Sequence, residues 1–337
     1  MKLFPILALI FAHSYSAWEV QLLLDKMQED ANKGEFGLLE IMHHYTAGMK
    51  SVFTQECYDN LILIRQSLGG AGYSAWSAIP HLIENISPAV TFEGDNTVMA
   101  QQSSNYLFKL ANKVFYKDHK AEGVFEYINE VDSLLKEKCS ASDYTHFLDV
   151  NNVEKALKVN LAYKLKDLMQ KRKESKASKK DFTNSLYALE IVKLSQSHIR
   201  YIAFQFFKRG IETDNIKCPI NLKNLQNLCI LNGLCQLQDA SSCYESGYFN
   251  SSQKFSEFVI EAIKEINRRI RPHAVSIIES LGWTDALVPS AIGNSYGDIY
   301  ETHLECAKNS RLNKTIAGDA IPDGYMENIM PILKGKM

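Results

Sequence analysis

Apolar residues recur every three or four positions along most of the chain, the spacing that places them on one side of an α-helix. The clearest stripe comprises Leu39, Met42, Thr46, Met49, Phe53, Cys57, Leu61, Ile64 and Leu68. Gly69 and Gly70 follow it directly, as the C-cap of a helix would. Gly48 lies inside the stripe, where glycine costs about 1 kcal/mol relative to alanine. A close contact with another helix would explain that cost.

The same periodicity predicts further helices over residues 79–86, 96–116, 150–170, 184–209, 221–236 and 253–281. Asp95 or Asn96 is placed to cap the second of these, and Pro272 should kink the last. Residues 171–180 are rich in lysine, which favours a solvated linker over a patch for an acidic partner. No segment shows the alternation of a β-strand, so the chain is predicted to be all-α.

The N-terminal residues have two interpretations. An apolar run over residues 3–11, followed by small and polar residues, is typical of a secretory signal peptide and is too short to span a membrane. The alternative is a core helix that continues past Trp18 to Met27. Trp18, Trp76 and Trp283 are predicted to be core residues.

Charge and cysteine content exclude several classes of function. Lys and Arg number 37 against 39 Asp and Glu, so nothing favours a nucleic acid partner. The seven cysteines are odd in number and contain no Cys-x-x-Cys pair, so we predict no metal site and no regular disulfide framework. Buried free thiols are favoured, and one bridge among Cys229, Cys235 and Cys243 stays open.

Two short segments carry candidate chemistry. Gly69, Gly70 and Gly72 stand at a helix end, where open backbone can approach a ligand and free amides can bind an anion. Glu93 stands between Phe92 and Gly94, ahead of a helix N-terminus. Apolar neighbours would favour its protonated form and the helix dipole its carboxylate, a balance suited to a general base. Each segment alone is more simply a cap or a turn.

Together the two segments resemble the acyl-CoA dehydrogenase superfamily. Gln-x-x-Gly-Gly-x-Gly-Tyr at 66–73 is followed by aromatic-Glu-Gly at 92–94, and the continuation Asp95-Asn96 resembles the peroxisomal acyl-CoA oxidases in particular. This resemblance implies that Glu93 is the catalytic base that removes the α-proton of a fatty acyl-CoA. It also implies that FAD is the cofactor, that Gln66, Gly69 and Gly70 contact it, and that Asp95 and Asn96 lie close to it.

The resemblance covers nearly the whole chain. Residues 2–8, 46–50, 296–301 and 307–314 are similar to oxidase segments, which favours the core helix at the N-terminus. It implies a truncated bundle over 1–118, connecting helices over 119–182 and an oxidase C-terminal helical domain over 183–330. An N-terminal helical domain and the β-domain that holds the flavin ring would then be missing. A homodimer without a membrane partner is implied, and residues 335–337, Gly-Lys-Met, form a weak peroxisomal address.

Two departures from the oxidase pattern keep alternatives open. Ala71 stands where oxidases commonly have histidine, and Phe92 replaces the usual tyrosine. The first hypothesis is an acyl-CoA oxidase that is active when the missing half is supplied. The second is a non-catalytic helical remnant that serves as a dimerisation or interaction module. The third, and least favoured, is a secreted helical protein with a true signal peptide.

Overall fold

The computed structural model describes residues 2–310 and 324–335, and every regular element within them is helical, which confirms the predicted all-α class. The α-helices are α1 (Leu3–Asn32), α2 (Leu39–Ser67), α3 (Gly70–Tyr73), α4 (Ile79–Ile86), α5 (Asn96–Tyr116), α6 (Val131–Leu134), α7 (Val150–Glu174), α8 (Lys179–Asp181), α9 (Ala188–Thr213), α10 (Pro219–Leu237), α11 (Ser242–Glu245), α12 (Ser252–Ile270), α13 (Ala274–Glu279), α14 (Ile299–Asn309) and α15 (Met330–Leu333).

Shorter turns of other helical types join these elements. Turns of 3₁₀ helix cover Ala75–Ser77, Ser87–Val90, Gly123–Glu130, Tyr144–Leu148, Arg271–His273 and Asp285–Leu287. Two segments, Phe182–Leu186 and Tyr325–Ile329, are π-helical. Arg311–Lys314 of the C-terminal resemblance and the last two residues of the predicted peroxisomal address lie outside the described residues.

The chain divides into two compact units. The first contains Met1–Asn60 and Ile86–Ser280, and the second contains Leu61–Asn85 and Leu281–Met337. The predicted domains, with boundaries at 118/119 and 182/183, are continuous stretches of sequence, whereas each unit combines two separate stretches. The predicted boundaries stay predictions.

Helix α9 lies at the centre of the first unit. Its side chains Leu194, Ile199, Phe204 and Phe207 are fully buried, and α1, α5, α7 and α10 pack around it. A helix that is buried on several sides must be apolar on several faces, which is why its sequence lacks a clean polar stripe.

Helix α1 packs against α9 and α10 through Leu7, Ala8 and Ala12, all of which are buried. By length and composition α1 could cross a membrane, a test that the core helices of soluble proteins also pass. Its ring contacts point to the core, because Phe11 and Tyr15 both stack on Phe207, with centroids 6.2 and 5.0 Å away. This is the packing that a core helix was predicted to make.

The prediction that the three tryptophans are core residues is wrong. Trp18 is 67% exposed, Trp76 is 39% exposed and Trp283 is 69% exposed. Trp18 follows the buried Ser16 by two residues, which turns its side chain by about 200° to the outer face of α1. Trp76 lies in a 3₁₀ turn and Trp283 in a loop, where no helical face dictates burial.

Gly48 has the close helix contact that its position in α2 required. A Cβ atom on Gly48 would lie 2.3 Å from Ile199 Cδ1 on α9 and 2.7 Å from Ser103 Oγ on α5. The absence of a side chain therefore lets α2 approach both helices at this point.

Three other predictions differ in detail from the structure. Helix α7 continues to Glu174, so the first residues of the predicted 171–180 linker are helical, and their cations stabilise the C-terminal turn through the helix dipole. Pro272 replaces the predicted kink by a 3₁₀ turn between α12 and α13. All seven cysteines are free, but only Cys229 and Cys243 are buried, whereas Cys57 and Cys218 are exposed.

Candidate functional site

Glu93 lies in the turn between the 3₁₀ segment Ser87–Val90 and α5. The backbone N–H groups of Thr91 and Phe92 both donate to the carbonyl of Pro88, at 3.0 and 2.9 Å. Glu93 has φ +58° and Gly94 has φ +110°, so two successive residues adopt positive φ. For glutamate this conformation costs about 1 kcal/mol or more, and strained residues of this kind cluster at functional sites.

The side chain of Glu93 is exposed, and its carboxylate makes no hydrogen bond or ion pair with any residue that the structure describes. Phe92 is 52% exposed, so this aromatic neighbour does not bury the Glu93 side chain. The carboxylate is thus open to a molecule that binds against this loop.

Helix α2 fixes the backbone at Gly94 and at Asn96, the first residue of α5. Lys50 Nζ donates to the carbonyl oxygen of Gly94 and, at 2.8 Å, to Oδ1 of Asn96. Ser51 Oγ donates to the carbonyl oxygen of Asn96 at 2.6 Å. Thr54, one turn further along α2, accepts from Asn96 Nδ2 at 3.1 Å. Three side chains on two successive turns of α2 hold the Glu93 loop, while the Glu93 carboxylate itself stays unengaged.

The roles of Lys50, Ser51 and Thr54 were not apparent from the sequence. The one local indication is that Lys50 stands beside Met49 in a helix whose inner residues are otherwise mostly apolar or small. A cation at the edge of such a stripe needs acceptors, and here these are backbone and amide oxygens of the Glu93 loop.

Asp95 and Asn96 have different environments. Asp95 is the N-cap of α5, as predicted, and its Oδ1 accepts from the backbone N–H of Thr97 at 2.8 Å. That hydrogen bond holds the pKa of Asp95 below its usual value. Asn96 is buried, and both ends of its amide are engaged by α2. Of the two, the exposed Asp95 has the freer side chain.

Gln66, Gly69 and Gly70 lie together in the second unit, at the end of α2, and all three are exposed. Gly69 has φ +59°, and a Cβ atom on either glycine would meet nothing within 4 Å. A Cβ atom on Gly72 would lie 2.3 Å from the carbonyl oxygen of Arg65, so this third glycine is required by the fold itself. The open backbone at Gly69 and Gly70 is the kind of surface that a pyrophosphate can approach closely.

The predicted site residues therefore fall into two groups. The first unit brings Glu93, Asp95 and Asn96 together, and the second brings Gln66, Gly69 and Gly70 together. Among the described residues, no group of three or more His, Cys, Asp or Glu side chains has the arrangement of a metal site.

Comparison with known families gives matches over most of the chain. The acyl-CoA oxidase family model matches residues 149–334, and the model of the acyl-CoA oxidase C-alpha1 domain matches residues 1–108. Peroxisomal acyl-coenzyme A oxidase 1 of Rattus norvegicus is 27% identical over 337 residues, which is 98% of this chain and 50% of the relative. The chain spans about half the length of the curated relatives that it matches.

Solved structures show the same fold. Acyl-CoA oxidase 1 of Arabidopsis thaliana superimposes with a TM-score of 0.89 at 24% identity, covering 100% of this chain and 50% of that one. Acyl-CoA oxidase-2 of Caenorhabditis elegans, solved with FAD, ascaroside-CoA and ATP, gives a TM-score of 0.86 at 24% identity, covering 99% of this chain and 48% of that one.

Proposed function

The chain belongs to the acyl-CoA oxidase family, and on that basis we propose that it provides the catalytic base and part of the cofactor site of an FAD-dependent acyl-CoA oxidase. The observation that carries the proposal is the free carboxylate of Glu93 on a backbone held by Lys50. Because the chain spans about half the length of its relatives, catalysis requires the other half of such an enzyme.

In the proposed reaction, Glu93 removes a proton from C2 of a fatty acyl-CoA thioester. FAD, held in part by Gln66, Gly69 and Gly70, would supply the acceptor for the hydride of C3, with O₂ as the final oxidant, so that the products would be a trans-2-enoyl-CoA and hydrogen peroxide. The hydrogen bonds of Lys50 keep Gly94, and with it Glu93, in one position, which reduces the entropy lost when the substrate reacts.

We assign the cofactor contacts in this chain to Gln66, Gly69 and Gly70. The open backbone at the two glycines supports this assignment, because no side chain stands between it and a bound pyrophosphate. Asp95 is exposed and stays a candidate for a contact near the cofactor. For Asn96 we propose mainly a positioning role, because its amide is already engaged by α2.

The proposal is tested by joining this chain to the N-terminal half of a family member and measuring peroxide and enoyl product from palmitoyl-CoA. We expect Glu93→Gln to abolish both products without loss of bound FAD, since the amide cannot accept the proton. Glu122→Gln, a change at another exposed glutamate, is the matched control and should retain activity. Full peroxide formation by Glu93→Gln would exclude Glu93 as the base.

We propose the peroxisome as the location, because the mammalian relatives carry that word in their names. The C-terminal tripeptide is a weak address. Fusing the last residues of the chain to a fluorescent protein, with and without Met337, would show whether they direct import.

A non-catalytic interaction module is the second candidate, favoured by the surface of the second unit. This unit exposes large aromatic side chains, which are enriched at protein interfaces: Tyr73, Trp283, Tyr296 and Tyr300. Light scattering of the purified chain tests self-association, for which we expect a homodimer. A dimer that yields no peroxide with any N-terminal half would favour this second function over the first.

A further inference from the structure

A cavity of about 430 Å³ opens in the first unit between α5, α7 and the π-helical segment Phe182–Leu186. Its apolar wall is formed by Tyr106, Phe108, Met169 and Phe182, of which Met169 and Phe182 are buried. An adaptable methionine beside aromatic rings is suited to an apolar body of variable shape.

Cations stand at the rim of this cavity. Lys109, Arg172 and Lys179 line it, and the one acid that lines it, Glu40, is paired with Lys109 at 2.7 Å. Residues 171–180, predicted from the sequence to be only a solvated linker, contain six cations and one acid. The potential at this rim is therefore positive, which favours an anionic ligand.

Arg172 is oriented before any ligand arrives. Its guanidinium lies over the Phe182 ring, 5.2 Å from the centroid, and Nη1 donates to the carbonyl of Ala177 at 3.0 Å. A guanidinium has five N–H donors, and within the described residues one of them is used. Lys179 is exposed and has no hydrogen bond or ion pair to any described residue.

The cavity wall also contains an irregular helix. Phe182 and Thr183 belong to the π-helical segment, and Thr183 O accepts from Gln101 Nε2 on α5 at 3.4 Å. The Phe182 ring packs against Tyr187 with centroids 4.7 Å apart. Single π-helical turns are rare and occur frequently at functional sites.

We propose that this cavity binds an amphipathic anion, a molecule with an apolar body and one carboxylate or phosphate group. The apolar body would cover Phe108, Met169 and Phe182, and the anionic group would bind the free edge of Arg172 together with Lys179. The inference rests on this cavity alone and is independent of the oxidase reaction.

Calorimetric titration of the purified chain tests the proposal with two amphipathic probes, decanoate and adenosine monophosphate. Acetate and inorganic phosphate are the matched probes that carry the charge without the apolar body. We expect at least one amphipathic probe to bind at least tenfold more tightly than its matched small anion. Which of the two binds distinguishes an alkyl carboxylate from a ring-bearing phosphate.

Substitutions of the cationic residues that line the cavity test where the probe binds. Arg172→Gln and Lys179→Gln should each weaken the bound probe about tenfold, whereas Lys176→Gln, in the same segment but outside the cavity, should leave it unchanged. Lys179→Gln keeps the test decisive if Arg172→Gln fails to fold, because Lys179 is exposed and unpaired in the described chain. The proposal would be overturned if neither amphipathic probe binds, or if the small anions bind as tightly as the amphipathic probes. It would also be overturned if neither Arg172→Gln nor Lys179→Gln weakens binding.

Discussion

At the scale of single residues, Glu93 combines a strained backbone with an unengaged side chain. Its φ of +58° costs free energy that alanine would share and glycine would not. The Glu93 carboxylate makes no hydrogen bond or ion pair in the described part of the chain that could offset this cost. The offset comes from the neighbours, because Lys50 and Ser51 bind the backbone on the C-terminal side of Glu93.

Replacing Glu93 by glycine should therefore stabilise the chain. We expect Glu93→Gly to gain about 0.5–1 kcal/mol in the free energy of unfolding and to raise Tm by about 2 °C, as removal of a positive-φ penalty does. Glu93→Ala removes the same carboxylate but keeps the penalty, so its Tm should stay near the wild-type value. If calorimetry shows that both variants are stabilised equally, the effect comes from removal of the charge and not from relief of the backbone strain.

Removing the ammonium of Lys50 should loosen the Glu93 loop. Lys50→Met leaves the carbonyl of Gly94 and Oδ1 of Asn96 without their charged donor, and we expect a loss of about 2 kcal/mol in unfolding free energy. Lys33→Met is the control, because the Lys33 side chain is 65% exposed and its Nζ lies 3.9 Å from Oδ1 of Asp30. Such a surface pair contributes about 0.5 kcal/mol or less. Denaturant titration of both variants measures the difference.

At the scale of the helices, the approach of α2 to α9 depends on Gly48. Alanine is the better helix former by about 1 kcal/mol, yet we expect Gly48→Ala to destabilise the chain by about 1–3 kcal/mol, because its methyl group would overlap the buried Ile199. Ile199→Val removes the Cδ1 atom nearest to Gly48, so the double variant should regain part of the loss.

Gly37→Ala provides the matched control for that prediction. A Cβ atom on Gly37 would meet nothing within 4 Å, so this change should be close to neutral in the same thermal denaturation assay. A Gly48→Ala variant as stable as Gly37→Ala would mean that α2 and α9 can separate at no cost.

The helices were predictable because burial of one face repeats with the helical period. Asp95 as the N-cap and the bounds Ile79–Ile86 follow from local residues alone. The start of α9 did not follow, because the preceding residues form a π-helical turn whose apolar spacing resembles that of an α-helix. The hold of α2 on the Glu93 loop was not predictable either, since Lys50 and Gly94 are 44 residues apart.

At the scale of the whole molecule, two histidines are buried in the core of the first unit. His44 and His198 lie with ring centroids 5.3 Å apart, and their Nε2 atoms have no partner among the described residues. His44 Nδ1 donates to the carbonyl of Ser103 at 2.8 Å, and His198 Nδ1 lies 3.1 Å from the Tyr127 hydroxyl. Burial lowers the pKa of His44 to about 4 and that of His198 well below its usual value.

The unfolding free energy should therefore fall as the solution is acidified. Both histidines resist protonation in the folded chain, so between about pH 6.5 and pH 4 the unfolded chain binds more protons, and stability is full above that window. We expect a loss of about 1.4 kcal/mol per histidine for each pH unit below 6.5.

His198→Phe should reduce that slope in denaturant titrations between pH 6.5 and 5, because one titrating ring is removed. His43→Phe, at the exposed neighbour of His44, should leave the slope unchanged. The explanation fails if His198→Phe keeps the full slope.

The close approach at Gly48 also has a consequence for the history of the family. Two helices in close contact share a limited volume, so a larger side chain at one position must be matched by a smaller side chain at the other. Positions 48 and 199 should thus vary together among relatives, so that lineages with a larger residue at 48 have a smaller one at 199. A lineage that enlarged both would have had to rebuild the seam between α2 and α9.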